Sequence, residues 1–452
     1  MNKNNNKMDL LGNAPVPQAL MALGIPIMIG MLINALYNLV DAYFIGGLGE
    51  SQMGAISIAF PLGQVVVGLG LMFGNGAASY LSRLLGRGDR EAASKVASTA
   101  LYSSVCIGAV IIIGTAIFLK PILTMLGATD TIMPYALSYG RIYVISCIFN
   151  VFNVTMNNIV ASEGAAKTTM CALLLGAVLN IGLDPIFIYV LEMGVAGAAW
   201  ATDISQLISG VACYIYMNKK YDILKFQKQE KKFKKVYVKN LCINGIPMGL
   251  QYSITAIGSV ILQAAVNTLG SVYVAAMTAG SKIFTFTCCP FDALGSTMAT
   301  YGGQNVGAGK TDRLGKGIKA AGIIGIIYSI VAFVLLYFFA SYIALLFVAA
   351  SETEIIRLTH QFIVYSALFY IPLTFVNVIR FCIQGMGFST FAILAGVFEM
   401  AARTFAAVML VPVMGYSGAC LANPLAWIAA DIFLFPAFMY CKKRLERAGK
   451  TA

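Results

Sequence analysis

This sequence has little charge and a single histidine. Charged residues make up 11% of its 452 residues, and His360 is its single histidine. Soluble domains carry roughly 25% charged residues, so this chain cannot cover a water-exposed surface and its solvent must largely be lipid. His360 falls at the outer end of a predicted helix, where an interfacial role is favoured over a proton relay.

Cysteine pairs at metal or redox spacing are also missing. The chain has ten cysteines, but none forms a CxxC pair and nearly all fall within apolar runs. Cysteine in such surroundings behaves as a small apolar packing residue. We therefore expect neither a disulfide framework nor a cysteine-ligated metal site.

A complete phosphate-binding loop is absent as well. The segment 306–311 reads VGAGKT, but the Walker pattern requires a glycine five residues before Gly309, where the chain has Gln304. A predicted membrane helix precedes the segment instead of a strand. The segment is therefore interpreted as a glycine-rich turn, and we expect an ion gradient, not ATP hydrolysis, as the energy source.

Twelve apolar runs occupy most of the chain. Each is long enough to cross the hydrocarbon core of about 30 Å as a helix, and none alternates as barrel strands do. The predicted spans are 24–46, 53–81, 96–118, 133–156, 169–190, 197–217, 243–268, 274–300, 317–338, 357–380, 391–412 and 417–440. The sequence thus predicts an all-α polytopic membrane protein with twelve transmembrane helices.

Positive charge concentrated in alternate loops predicts the orientation. Nine lysines lie between Lys219 and Lys239, whereas the predicted outer loops hold little beyond Lys120 and Arg357. The excess of Lys and Arg in cytoplasmic loops places both termini in the cytoplasm of a prokaryotic inner membrane. This topology and contact with anionic lipid heads account for the net charge of +12, so no nucleic-acid partner is expected.

The chain contains an internal repeat. A shift of 221 residues aligns its halves without gaps, and the matched pairs include Ile25-Pro26 with Ile246-Pro247, Gly88 with Gly309, Gly164 with Gly385, and Gly194 with Gly415. Two parallel six-helix lobes around a central cleft are the layout of alternating-access carriers. We predict an N-terminal lobe at 1–217, a basic cytoplasmic loop at 218–242 and a C-terminal lobe at 243–452.

Acidic residues inside the spans indicate where function lies. A carboxylate at the centre of a bilayer costs about 2.5–3.5 kcal/mol on insertion scales, so each one implies a pore, a partner or a function. Six acidic residues fall inside predicted spans: Asp41, Asp184, Asp203, Asp292, Glu399 and Asp431.

In the first half, polar groups converge at one depth. The contributing residues are Asn34, Tyr37, Asn38 and Asp41 on helix one, Tyr139, Asn153 and Asn157 on helix four, Asn180 and Asp184 on helix five, and Thr202 on helix six. Asp41, Asp184, Tyr139 and Thr202 all lie about five or six residues, roughly 8 Å, from the outer ends of their helices. For the Asn and Thr residues, a purely structural role in interhelical hydrogen bonds is about as favoured as a role in a binding site. For the two aspartates, that structural role is less favoured than a cation or proton site.

Two neighbouring carboxylates in a low dielectric cannot both stay ionised, so one proton can be loaded and released there. Alternatively, carboxylate, amide and hydroxyl oxygens could hold Na⁺. In either case, neutralising the carboxylates changes how the helices pack, and this change can couple ion binding to motion of the lobes.

The second half carries a different polar set. Glu399 and Arg403 lie one turn apart on helix eleven, and a structural ion pair is favoured over direct substrate contact. Lys282, Asp292 and Arg380 could belong to the same network. Helix seven offers Gln251 and hydroxyl groups but no acid within its span.

Several segments together form a specific pattern. They are Asn38-Leu-Val-Asp41-x-x-Phe44-Ile-Gly46, Asn180-Ile-Gly-Leu-Asp184-Pro185, Arg380 to Gly387 (RFCIQGMG) and Glu399-x-x-x-Arg403. With them, the chain resembles the multidrug and toxic compound extrusion (MATE) family over essentially its whole length. The resemblance implies a V-shaped, non-enzymatic antiporter that exports amphipathic, mostly cationic compounds in exchange for H⁺ or Na⁺.

The resemblance also implies that the counterparts of several first-lobe residues matter for ion or drug binding. With the helix faces above, we assign cation or proton coupling, with a possible Na⁺ site, to Asp41, Asp184, Asn180, Thr202 and Tyr139. We assign substrate contacts to Pro26, Asn34, Tyr37, Asn38, Asn153 and Asn157. The predicted second-lobe polar network comprises Gln251, Lys282, Asp292, Arg380, Glu399 and Arg403.

The predicted site breaks the symmetry of the repeat. At the offset of 221, Asp41 aligns with Leu262, Asp184 with Phe405, and Asn180 with Ala401. Some relatives use acids on helices seven and ten of the second lobe, which this chain lacks, so ion coupling is expected in the first lobe only. We expect a monomer in contact with membrane lipid, with no cofactor beyond the coupling ion.

A lipid-linked saccharide flippase of the same superfamily is the alternative function. It would need a strongly cationic cleft, and cations at membrane level are few: Arg141, Lys282, Arg380 and Arg403.

Overall fold

The computed structural model describes residues 14–46, 50–125, 130, 132–220 and 235–450, and its regular structure there is helical throughout, without a strand. Most of the predicted basic loop at 218–242 lies outside the described residues. The helices are α1 Val16–Gly46, α2 Glu50–Gly86, α3 Arg90–Met125, α4 Met133–Ser162, α5 Ala166–Pro185, α6 Val195–Lys220, α7 Lys235–Asn267, α8 Ser271–Gly307, α9 Asp312–Ala344, α10 in two segments (Thr353–Leu368 and Tyr370–Gly385), α11 Thr390–Phe405 and α12 Tyr416–Lys450.

These twelve helices follow the twelve predicted spans in order, so the predicted all-α fold is confirmed. Within the described part of the chain, nine helices are long and apolar enough to cross a membrane, or ten with both segments of α10. The other two are α2, where the side chains of 50–66 are not described, and α6, where Asp203 and Gln206 interrupt the apolar run.

Helix α10 is bent, which the sequence prediction of one continuous span at 357–380 missed. Its two segments meet at Phe369 with an angle of 54° between them. Pro372 has no amide hydrogen, so the carbonyl of Leu368 loses its helical partner at this point. The proline is the sequence signal that could have located the bend.

Helix α5 ends in a π-helical turn at Ile186–Val190. A matching π-helical turn at Ala406–Leu410 follows α11, and a short α-helical segment at Val411–Met414 continues it. After each turn a glycine of the next helix packs directly against it. A Cβ atom on Gly197 would lie 2.6 Å from the carbonyl of Phe187, and one on Gly418 would lie 2.6 Å from the carbonyl of Leu410. Only glycine allows the backbones to approach this closely.

The chain divides into two compact units at points inside α1 and α7. The first unit is Ile29–Gly249, and the second contains residues 14–28 and 250–450. In the first unit, Gly76 of α2 faces the start of α7, where a Cβ would lie 2.7 Å from the Cα of Gly245. In the second unit, the start of α1 packs on α8, with Gly24 opposite the hydroxyl of Thr297. The predicted lobe limits, by contrast, follow the loops.

The repeat is visible in glycines with a left-handed backbone. Gly88 and Gly309 have φ angles of 78° and 72°, and Gly194 and Gly415 have 56° and 59°, each pair at the expected offset. After the fourth helix of each half, however, the left-handed glycines are Gly164 (84°) and Gly387 (94°). The left-handed glycine that corresponds to Gly164 is thus Gly387, two residues later than the offset of 221 predicts.

Candidate functional site

Two aspartates of the first unit meet although they lie far apart in sequence. Asp41 is on α1 and Asp184 is at the end of α5, and their carboxyl groups lie close enough to interact electrostatically. Asp184 has no exposed surface, and Asp41 is half-buried. Because two carboxylates at this distance repel each other, the pair needs a proton or another cation between them.

Asn180 and Thr202 extend this pair into a cluster of oxygen atoms. The amide of Asn180 donates to Asp184 Oδ1 and to Thr202 Oγ1, each at 3.4 Å. Three buried oxygens of the cluster have no hydrogen-bond partner: Asp41 Oδ1, Asn180 Oδ1 and Asp184 Oδ2. Partnerless buried acceptors are costly, so this arrangement is one that a bound cation or proton would stabilise.

A third carboxylate, Asp203, belongs to the same region and was not assigned to the site from sequence. It is 1% exposed, and its Oδ2 has no partner. It interacts with Ser146 of α4 and lies close enough to Tyr139 to affect it electrostatically. Its position next to Thr202 in sequence was the available signal.

Aromatic side chains border the carboxylates. The rings of Tyr139 and Tyr143 on α4 are stacked, with centroids 5.3 Å apart. Tyr37, one turn before Asp41 on α1, has its hydroxyl beside the side chain of Gln206 of α6. Helices α1, α4, α5 and α6 therefore all contribute polar groups to one region, as the predicted depths required.

Cationic side chains do not neutralise this region. In the part of the chain that the structure describes, no ion pair includes Asp41, Asp184 or Asp203. The described residues also contain no group of three or more His, Cys, Asp and Glu side chains with metal-binding spacing. A hard cation bound here would therefore need amide and hydroxyl oxygens beside the carboxylates.

The residues assigned to substrate contact are spread over several environments. Asn38 donates to the carbonyl and the Oδ1 of Asn34, and both side chains are exposed. Asn157 donates to Asn153 Oδ1 at 2.7 Å, and both side chains are buried. Pro26 is buried in the part of α1 that belongs to the second unit.

The second unit contains a buried ion network. Glu399 of α11 pairs with Arg380 of α10 and, at 3.5 Å, with Arg403 one turn along its own helix. Arg403 also donates to Asn423 Oδ1 at 3.0 Å and to the carbonyl of Thr255 at 3.4 Å. All three charged side chains are at most 7% exposed.

The other residues of the predicted second-lobe network lie around it or elsewhere. Gln384 donates to Gln251 Oε1 at 2.8 Å, and Asn377 donates to Asp292 Oδ1 at 3.1 Å. Lys282 lies apart, with its ammonium 5.8 Å from the ring centroid of Phe347. Sequence reasoning did not include Asp431, although its electrostatic influence reaches Arg380.

Two repeated six-helix halves, and first-unit carboxylates that no cation pairs with in the described part of the chain, are the features of a polytopic membrane transporter. A family model described as MatE matches residues 26–186 and 247–421. The chain belongs to this family of transporters.

Individual relatives agree with this family. The chain is 33% identical over 235 residues to the multidrug export protein MepA of Staphylococcus aureus (strain NCTC 8325 / PS 47). The matched region covers 52% of each chain. The chain is 31% identical over 270 residues to MepA of Staphylococcus haemolyticus, or 60% of each chain. The chain thus spans about half to three fifths of the length of the curated relatives it matches.

Solved structures match over the whole chain. A MATE transporter in complex with MaL6 has a TM-score of 0.91 at 25% identity and covers 100% of both chains. The outward-facing form of a multidrug resistance MATE family transporter of the MOP superfamily has a TM-score of 0.92 at 25% identity, over 97% of this chain and 98% of the other.

Proposed function

We propose that this chain is a secondary active multidrug efflux antiporter, which exports amphipathic cationic compounds in exchange for H⁺ or Na⁺ by alternating access. The observation that carries the proposal is the electrostatic interaction between Asp41 and Asp184 in the first unit, with buried oxygens that lack partners among the described residues. The relatives named MepA are multidrug export proteins, which supports the same substrate class.

The exchange follows from the charge of the pair. Two carboxylates in a low dielectric need a counter-charge, and either the coupling ion or a cationic drug can supply it. Both cannot do so at the same oxygen atoms, because a carboxylate that holds a proton or Na⁺ no longer offers its charge to a cationic drug. Binding of one therefore expels the other, and this competition is the physical basis of antiport.

The contacts of Asn180 place neutral oxygens next to the charged ones, which suits Na⁺ as well as a proton. Proteoliposomes with only a Na⁺ gradient, and then with only a pH gradient, distinguish the two ions. We expect one gradient to drive accumulation of a fluorescent cationic dye against its concentration gradient. Dye movement that only equilibrates under both gradients would contradict a coupled carrier.

The cationic side chains of the second unit favour the antiporter over the alternative, a lipid-linked saccharide flippase. Arg380 and Arg403 share the carboxylate of Glu399, which leaves less positive charge for a pyrophosphate. Lys282 lies away from them. Purified protein that binds an anionic lipid-linked sugar but no cationic dye would reverse this ranking.

Asp41→Asn tests the site directly. The substitution keeps the shape of the side chain and removes its charge, so we expect drug export to fall to the background of empty vesicles with the protein still in the membrane. Asp312→Asn is the matched control, because Asp312 is an exposed carboxylate whose partner Lys316 is 3.8 Å away. Unchanged export by the Asp41 variant would rule out this pair as the coupling site.

We further propose a monomer in a bacterial cytoplasmic membrane, with both termini in the cytoplasm. The bacterial source of the MepA relatives and the distribution of lysine and arginine support this placement.

A further inference from the structure

An aromatic groove lies between α11 and α12 of the second unit, outside the ion network. It has a volume of about 380 Å³, which falls in the range of small-ligand sites. Its walls are formed mainly by Phe391, Phe398, Ile432, Phe433, Pro436 and Tyr440. Apart from the tyrosine hydroxyl, these side chains offer no polar atom, so the groove suits an apolar chain.

The rings form a continuous strip along the groove. Phe398 stacks on Phe433 with centroids 5.2 Å apart, and Phe433 stacks on Phe391 at 6.3 Å. Phe391 in turn lies 5.9 Å from the ring of Tyr440. From Ile432 to Tyr440, α12 rises about 12 Å at 1.5 Å per residue, which gives the strip the length of a substantial part of an acyl chain.

Pro436 is the residue that accounts for the open space of the groove along α12. It cannot donate a backbone hydrogen bond, so the carbonyl of Ile432 lacks its helical partner and the helix is free to bend there. The next residue is the small, buried Ala437. A proline followed by alanine leaves room between the flanking rings of Phe433 and Tyr440.

Positive charge stands at one end of the strip. The guanidinium carbon of Arg444 lies 5.6 Å from the ring centroid of Phe388, and that ring is 6.4 Å from Phe391. Arg444 follows Tyr440 by one helical turn, and the exposed Lys443 is next to it. Lys442 pairs with Glu446 at 3.6 Å, whereas Lys443 and Arg444 join no ion pair within the described ranges.

We propose that this groove binds an anionic glycerophospholipid, with one acyl chain along the aromatic strip and the phosphate at Arg444 and Lys443. Basic side chains at the end of a membrane helix attract anionic head groups, and a concave apolar wall holds the chain in a defined place. The convex apolar face of α9, which carries the exposed Val334 and Phe338, offers ordinary lipid contact by comparison.

Native mass spectrometry of the full-length protein tests the proposal. The protein is released from vesicles with equal amounts of phosphatidylglycerol and phosphatidylcholine of identical acyl chains. We expect one retained phosphatidylglycerol, favoured by about tenfold, since two basic groups contribute to its head-group contact. Equal retention of the two lipids would overturn the proposal in favour of unspecific lipid contact.

Matched variants locate the site. Lys443→Gln with Arg444→Gln should abolish the preference, whereas Lys319→Gln, which removes an exposed charge from α9, should leave it intact. Phe433→Leu should weaken retention, and Phe338→Leu should not. Loss of the preference in the control variants, or its persistence in the double variant, would place the lipid elsewhere.

A competition experiment separates the lipid from a simple anion. Glycerol phosphate and inorganic phosphate carry an anionic phosphate without the acyl chain, and their charge at neutral pH is larger than that of the phosphodiester in phosphatidylglycerol. We expect neither to displace the retained lipid at millimolar concentration, because each lacks the apolar contact. Displacement by either one would show that the groove contributes nothing and would overturn the proposal.

Discussion

Among the described residues of the first unit, no cationic side chain pairs with Asp41, Asp184 or Asp203, whereas in the second unit Glu399 is held between Arg380 and Arg403. Both sets are buried between helices of one repeated plan. An unpaired carboxylate destabilises the fold that contains it and is retained where a function uses it. A paired one stabilises its neighbours, because removal of a partner leaves an uncompensated buried charge. The first unit thus contains the proposed exchange site, whereas the ion network of the second unit has the arrangement of a structural support.

The largest effect on stability should come from Glu399→Gln. It leaves Arg380 and Arg403 close together with no carboxylate between them, and breaking a buried pair in this way costs about 3–5 kcal/mol. Thermal unfolding of the purified protein in detergent measures the loss. Glu446→Gln is the control, since its partly exposed pair with Lys442 contributes no more than about 1 kcal/mol. Equal unfolding temperatures for both variants would contradict a supporting role for the network.

Gly245→Ala should have the next largest effect. A methyl group there would clash with the carbonyl of Met72, which is backbone and cannot move away. Overpacking of this kind costs about 1–3 kcal/mol. The equivalent Gly24 faces the hydroxyl of Thr297 at 3.3 Å, a side-chain group that can rotate, so Gly24→Ala should be nearly neutral in the same unfolding measurement. A larger loss for Gly24→Ala would reverse the packing comparison.

Asp203→Asn should raise stability by a smaller amount. Asp203 is buried, one of its oxygens has no partner, and asparagine removes the charge while keeping the shape. A rise of a few degrees in the unfolding temperature, about 1 kcal/mol in free energy, is expected. Drug export should fall at the same time. A loss of stability like that of Glu399→Gln would show that the first unit also depends on its carboxylates for support.

The smallest effect should come from Arg357→Gln at the exposed start of α10. Arg357 donates to both oxygens of Glu354, at 3.0 and 2.7 Å, and this holds the pKa of Glu354 below its ordinary value. A lowered pKa in the folded state contributes stability above the ordinary pKa of Glu, and that stability is lost as the pH falls through the lowered value. The difference in unfolding temperature between wild type and variant should therefore shrink from pH 6 towards pH 3. A difference that grows on acidification would contradict the pairing.

Much of the candidate site could be predicted because the cost of placing a charged side chain in a bilayer can be assessed for each residue separately. Asp41 and Asp184 each stand out in an apolar run, and helix rise places both at one depth before any packing is known. Asp203 was counted among the intramembrane acids but not placed, since a depth argument cannot tell which face of α6 turns towards the other helices. The pairing of Arg380 with Glu399 was beyond reach for the same reason: the two residues are on different helices, and their contact depends on how those helices cross.

The sequence by itself determined the twelve helices, the repeat and the lipid environment, because length, hydropathy and the 221-residue offset are properties of the chain alone. Only the tertiary structure decided that the first turns of α1 and α7 pack with the opposite halves of the sequence, and that Gly387 takes the place expected for Gly385. Close contacts such as Gly76 with Gly245 depend on which backbones approach each other in the folded protein. The residue type at one position does not specify the distant segment against which it packs.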